Sequence, residues 1–229
     1  MGPPLRRWHK MDPGHLPPPR RPFIVESTAA AAPRTIRHPV VIVDGLLGDA
    51  EWSALLARVL ASEAQFQPSA THDARADYRH SLVLNPPPDL VEPVVRRVRS
   101  LTPDVLPELR VQPITVGVVE AQVTASIDGS FFGVHTDADR QKVPKRYLTY
   151  VYYFNRQPKA FSGGELRVYD DVLRNGKLAR GETFQVIEPL HNRLVLFWAR
   201  TMHEVMPVRM PSGAFGDARF TVNGWVNST

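Results

Sequence analysis

Cysteine is absent from all 229 residues, which excludes disulfide bonds, thiolate metal sites and a cysteine nucleophile. Long apolar runs are absent too. The longest are the size of Leu194–Ala199, far short of the roughly eighteen residues a spanning helix needs, so no membrane partner is expected. The N-terminus has arginines but no apolar segment behind them, so no secretory signal is expected and the cytoplasm is the simplest location. Unbalanced charge is missing from most of the chain. Residues 1–39 hold seven Lys/Arg against two acids, which is the whole net charge of +5. The remaining 190 residues carry 21 bases and 21 acids, so the body is neutral and nucleic acid is not an expected partner.

What is present fits a folded domain. Apolar residues make up 43% and charged residues 22%, which excludes a wholly disordered, collagen-like or coiled-coil chain. Nine of the 22 prolines lie in residues 1–39, where no periodic apolar pattern exists. Residues 1–36 therefore read as a disordered, basic, proline-rich tail, and residues 37–229 as a single domain. Val40–Val43 reads as a strand closed by the Asp44-Gly45 turn. Asp49 is placed to cap a helix with Trp52, Leu55, Leu56, Val59 and Leu60 on one face. A second helix is expected after Pro86-Pro87-Pro88, capped by Asp89, with Leu90, Val91, Val94, Val95 and Val98 buried.

From residue 114 the pattern changes. Thr115–Thr124, Tyr147–Phe154, Glu165–Tyr169, Phe184–Ile187, Leu194–Ala199 and Phe220–Val226 read as strands separated by Asp128-Gly129, Gly163-Gly164 and Asn175-Gly176 turns. No helical pattern intervenes, so an antiparallel jelly roll is expected rather than a parallel sheet. The fold class is mainly β with flanking helices (α+β), helical support over 37–113 and a jelly-roll core over 114–229.

His135-Thr136-Asp137 places an imidazole and a carboxylate on one face of an extended segment, behind the apolar Phe131-Phe132-Gly133-Val134. His203 follows the apolar strand Leu194–Ala199. Alone, such a pair is more often a hydrogen-bonded surface feature, and a single histidine more often structural. Together, two histidines and one carboxylate with open positions suit a non-haem Fe(II) centre. His72, Asp73, Asp77 and His80 lie in a polar segment and read as solvated; His191, at a turn, reads as structural. Gly163-Gly164 is no phosphate loop, since no helix follows; the glycines permit a tight turn and close backbone approach.

Around these residues six blocks occur in order: HTDAD at 135–139, RYLTYVYYFN at 146–155, SGGEL at 162–166, NRLVLF at 192–197, HEV at 203–205 and RFTVNGW at 219–225. The series resembles the prolyl-4-hydroxylase-like Fe(II)/2-oxoglutarate-dependent dioxygenases, over roughly residues 118–226. The resemblance implies a double-stranded β-helix (jelly-roll) core, with His135, Asp137 and His203 holding iron. Arg219 matches the basic residue that pairs with the distal carboxylate of 2-oxoglutarate, and Tyr153 a tyrosine that often assists it. Strand alternation puts Thr149 and Val151 on the face of Tyr153, and Thr221, Asn223 and Trp225 on that of Arg219. Thr149, Asn223 and Trp225 thereby join the expected cosubstrate pocket. The implied cofactors are Fe(II) and 2-oxoglutarate, with ascorbate as reductant. The implied reaction hydroxylates an unactivated C–H bond of a prolyl residue or other amino-acid-like substrate, releasing succinate and CO₂; the alternatives are an oxygenase acting on a free amino acid or secondary metabolite, and a non-catalytic metal-binding jelly roll. Asp137 fills the position that related halogenases leave to a small residue. One departure stands out: a tyrosine that family members commonly carry is replaced at Ser126, where Ser126 or Thr124 is left to substitute through a hydroxyl.

Overall fold

The computed structural model describes residues 34–69, 78–138, 145–174 and 176–229; the expected tail as far as residue 33, the loop residues His72, Asp73 and Asp77, and Asn175 lie outside the described residues. In chain order the first strands are β1 (Arg34–Ile36), β2 (Val41–Asp44), β3 (Gln67–Pro68), β4 (Arg79–His80) and β5 (Leu82–Leu84). Then come β6 (Val116–Ser126), β7 (Phe131–His135), β8 (Arg146–Phe154), β9 (Ser162–Gly163) and β10 (Leu166–Arg174). The last are β11 (Lys177–Ile187), β12 (Arg193–Trp198), β13 (His203–Val205), β14 (Val208–Arg209) and β15 (Arg219–Ser228). Two helices, α1 (Asp49–Ala61) and α2 (Pro88–Glu108), precede β6.

The strands form two principal antiparallel sheets. The larger runs β2-β12-β8-β15-β6-β5-β3; the smaller runs β1-β10-β13-β7-β4, with β11 paired to β10. Alternation along the larger sheet separates its two faces. Tyr150, Tyr152, Phe154, Leu194, Leu196, Phe220, Val222 and Val226 pack with the buried faces of α1 and α2. The opposite face meets the smaller sheet, where Tyr153, Val195 and Phe197 join Leu166, Val168 and Ile187 in a second apolar cluster. The expected jelly-roll architecture is thus present, with the helices on one outer face. Among the described residues, no helix is long and apolar enough to cross a membrane.

Several expected boundaries shift for local reasons. Arg34–Ile36, counted with the tail, pairs with Asp171–Leu173 of β10, and His38 Nε2 donates to the Asp171 carboxylate at 2.9 Å. The domain therefore takes in residues before Arg37. Helix α1 is capped by Gly48, whose N–H donates to the Glu51 carboxylate at 3.1 Å, and not by Asp49. Helix α2 starts at Pro88 and runs past Val98 to Glu108 despite Pro103 and Pro107, because Thr102, Val105 and Leu106 are buried. Burial here outweighs the missing N–H donors. The β10–β11 hairpin is longer than the apolar signal because its outer half pairs through polar residues such as Asp171 and Arg180.

Candidate active site

The three expected ligands come together from two neighbouring strands of the smaller sheet. His135 ends β7 and His203 opens β13, and the two residues pair directly across the ladder. Opposed residues in an antiparallel pair point to one face, so the imidazoles lie side by side, ring centroids 4.1 Å apart. Asp137 follows β7 in a turn fixed by its own N–H and that of Ala138, both donating to the Ala199 carbonyl at 3.0 Å. Ligand atoms of His135, Asp137 and His203 all lie within 4.8 Å of one another.

Hydrogen bonding orients each ring. Nδ1 of His135 donates to the Gly133 carbonyl at 2.8 Å, and Nδ1 of His203 to the Thr201 carbonyl at 2.9 Å. A carbonyl only accepts, so the Nδ1 atoms carry the protons and the Nε2 atoms face Asp137 at 3.7 and 3.3 Å. Burial, and then the neighbouring His203, push His135 down to about 3, so its Nε2 offers a lone pair at neutral pH. Burial alone would raise Asp137, but the two histidines and the Thr149 hydroxyl outweigh it and hold the carboxyl below its usual range. Three acceptors facing one point repel one another unless a cation lies between them. The donor set therefore fits a divalent metal. Phe132 stacks on His135 at 3.6 Å and Phe197 lies edge-on to His203 at 4.8 Å, which walls the centre from water.

Opposite this centre, the larger sheet supplies a polar wall to a cavity partly open to solvent. Arg219, 3% exposed, donates from Nη1 to the Ser126 hydroxyl at 3.2 Å, its partner across the β15–β6 ladder. Its guanidinium carbon lies 4.8 Å from the Tyr153 ring centre. Arg219 Nε, Tyr153 Oη and Trp225 Nε1 are all buried without a hydrogen-bond partner. Buried polar atoms left unpaired are uncommon in folded proteins, and three of them on one cavity wall mark a polar ligand site. The cavity thus has acceptors for a cation at one side and unspent donors for an anion at the other, which also fits a dicarboxylate. Gly164, at φ +73°, makes room for the arginine: a Cβ there would lie 2.7 Å from Arg219 Cδ.

The expected residues divide by what they touch. Thr149, placed in the cosubstrate pocket by its strand face, donates to the Asp137 carboxylate at 2.7 Å and so serves the metal side. The Asn223 amide oxygen accepts from Thr124 at 2.8 Å and Thr221 at 3.1 Å, leaving its NH₂ to the cavity. The Trp225 ring lies under the Arg146 guanidinium at 3.3 Å, on the cavity rim. Ser126 takes the place beside Arg219. His191 is structural, packed edge-on to Trp52 at 4.4 Å and accepting from the Asn155 N–H. His80 is exposed on the cavity mouth. Residues not anticipated on the wall are Arg79, Gln122 and Phe132. Arg79 lies on a two-residue strand after a polar stretch, too short a pattern for the sequence to place its side chain.

Comparison with known proteins agrees with this geometry. Residues 121–227 match the family model of the 2OG-Fe(II) oxygenase superfamily. An uncharacterized PKHD-type hydroxylase of Synechocystis sp. is 38% identical over 186 residues, 80% of this chain and 61% of that protein. The chain thus spans about three fifths of the length of that relative. A prolyl-4-hydroxylase crystal structure from Pseudomonas putida superposes with a TM-score of 0.61 at 22% identity, covering 84% of this chain and 94% of that one. A prolyl hydroxylase from Trichoplax adhaerens, solved with a hypoxia inducible factor oxygen degradation domain peptide fragment, gives 0.60 at 19% identity, covering 83% and 84%. These two likenesses establish the fold. Six sequence blocks in order, the family match over residues 121–227 and an acceptor triad across from a buried arginine make this chain similar to the 2OG-Fe(II) oxygenase superfamily.

Proposed function

We propose that this protein is an Fe(II)- and 2-oxoglutarate-dependent dioxygenase that hydroxylates an unactivated C–H bond of a prolyl residue or another amino-acid-like substrate. The overall change is R–H + 2-oxoglutarate + O₂ → R–OH + succinate + CO₂. The observation that carries this reading is the facing of an acceptor-only His135–Asp137–His203 set with the unpaired donors of Arg219 and Tyr153 in one cavity.

His135, Asp137 and His203 would hold the ion, and Thr149 fixes the Asp137 carboxylate by donating to it. Bound Fe(II) supplies the oxygen chemistry, as cofactors generally carry the hard step. Arg219, steadied by Ser126, receives the distal carboxylate of the cosubstrate as a planar, charge-assisted fork, with Tyr153 Oη beside it. Phe132, Phe197, Leu166 and Val205 keep water from the reacting centre. Glu204 is spent on Tyr169 and Arg167, and Glu120 on Arg146, so neither is left free as a general base. C–H cleavage needs none. Ascorbate enters this reading as an external reductant. Because Asp137 occupies the carboxylate position, the product gains oxygen and not halide.

The test is succinate release from 2-oxoglutarate with Fe(II), with product mass read in chloride buffer. Succinate formation, and a gain of one oxygen on a supplied prolyl peptide or amino acid, are expected. A chlorinated product, or equal succinate release by His135→Ala and Asp137→Ala variants, overturns the reading.

A further inference from the structure

Among the described residues the cavity wall carries three side chains of fixed charge, Arg79, Asp137 and Arg219, and the reaction above uses only the last two. Arg79 sits on β4 and pairs with Phe132 of β7, so it is built into the same sheet as His135 and His203. Its guanidinium lies over the Phe132 ring at 4.8 Å, the ring that stacks on His135. Its hydrogen bonds go to neutral groups at long range, Nε to the Ser81 hydroxyl at 3.3 Å and Nη2 to the Gln122 carbonyl oxygen at 3.5 Å. Among the described residues it makes no ion pair, and Asp137 is the one acid whose field reaches it. A part-buried guanidinium with no carboxylate partner among the described residues is placed to receive an anion.

Charge balance says what kind. A divalent ion and Arg219 together offset Asp137 and the cosubstrate dianion, leaving the cavity neutral apart from Arg79. One positive charge then remains, on a planar fork shaped for two oxygens. A monoanionic carboxylate balances it, whereas a phosphate ester dianion would leave the site negative.

Resting on the site reading above, we propose that Arg79 is a specificity-determining residue that binds a free carboxylate of the primary substrate. The substrate class is then amino acids or peptide chain ends with an unblocked carboxylate, not internal residues of a chain. Gln122 and Ser81 hold the guanidinium in place, and Phe132 fixes its plane beside the metal centre.

The test uses the full chain loaded with Mn(II) and 2-oxoglutarate, which holds the cosubstrate without turnover. The twenty free amino acids, their amides, and matched tripeptide pools with free or amidated C-termini are titrated by water-proton relaxation. At least one free acid is expected to bind about tenfold or more tightly than its amide, the scale of a lost charged pair. That preference should disappear in Arg79→Gln and return in part in Arg79→Lys, with circular dichroism confirming that both variants are folded. Amino acids and tripeptides report separately whether the carboxylate belongs to a free molecule or a chain end. If no acid outbinds its amide, or the preference survives Arg79→Gln, the inference is overturned. If the unaltered protein fails to bind 2-oxoglutarate with Mn(II), the underlying site reading falls instead.

Discussion

Two arginines follow His203, and their surroundings differ enough to decide between them. Arg219 is buried on β15 with its guanidinium between Ser126 and Tyr153; Arg209 is exposed on the two-residue strand β14. Losing one partner of a desolvated charge pair costs roughly 2–5 kcal/mol, so Arg219→Ala should weaken 2-oxoglutarate binding by about 30-fold or more. Arg219→Lys should recover only part, because an ammonium has no planar fork. Arg209→Ala should change binding by less than about fivefold, since exposed pairs contribute at most about 1 kcal/mol. Calorimetric titration of the three variants with Mn(II) present checks this; a larger loss for Arg209→Ala would move the pocket elsewhere. At this scale the meeting of His135, Asp137 and His203 was legible through the resemblance carried by the ordered blocks, and the shared cavity of Arg219 and Tyr153 through that resemblance and strand alternation. Thr149 was legible only as a face and not as a partner. The Asp137 turn that receives its hydroxyl depends on the Ala199 carbonyl, far away in sequence.

At the scale of elements, the Gly163-Gly164 turn matters through what passes beside it. Gly164 at φ +73° lies against the Arg219 stem and Val208, so Gly164→Ala adds left-handed strain and a Cβ contact of 2.7 Å to Arg219 Cδ. The expected outcome is a loss of roughly 1–3 kcal/mol of stability together with weaker 2-oxoglutarate binding. Denaturant melts and cosubstrate titration of one sample read both effects; normal cosubstrate affinity in a destabilised variant would show that the turn does not seat the arginine. The long strands were legible from alternation and the helical faces from their three-to-four spacing. The short strands were not. β1, β4 and β13 have two or three residues each, too few for a period, and exist because a longer neighbour offers them a ladder. Arg79 and β1 were lost to the reading together for that reason, while the reach of α2 through Pro103 was set by tertiary burial that no local rule contains.

For the molecule as a whole, the site belongs to neither sheet alone. The His135–Asp137–His203 set sits at β7 and β13 of the smaller sheet, while Arg219 and Tyr153 sit on β15 and β8 of the larger. A cosubstrate held at both ends therefore ties the sheets together, and only the folded state can bind it. At a hundred times its dissociation constant such a ligand adds about 2.7 kcal/mol to stability. The expected shift is a few degrees for each kcal/mol, roughly 2–4 °C in a chain of this size. Thermal melts with 2-oxoglutarate should rise in the presence of Mn(II) and stay nearly flat without it; an equal rise in its absence would mean that the dicarboxylate binds outside the triad. The pairing of His203 with His135 has one more consequence. The ladder to β7 becomes irregular immediately after it, between His203 and Val205, so the alignment of this short strand rests on its regular pairing with β10. A slip by one position would turn the second imidazole to the opposite surface. The far edge of β13, laddered to β10, thus acts as the check on alignment that brings both rings to one surface.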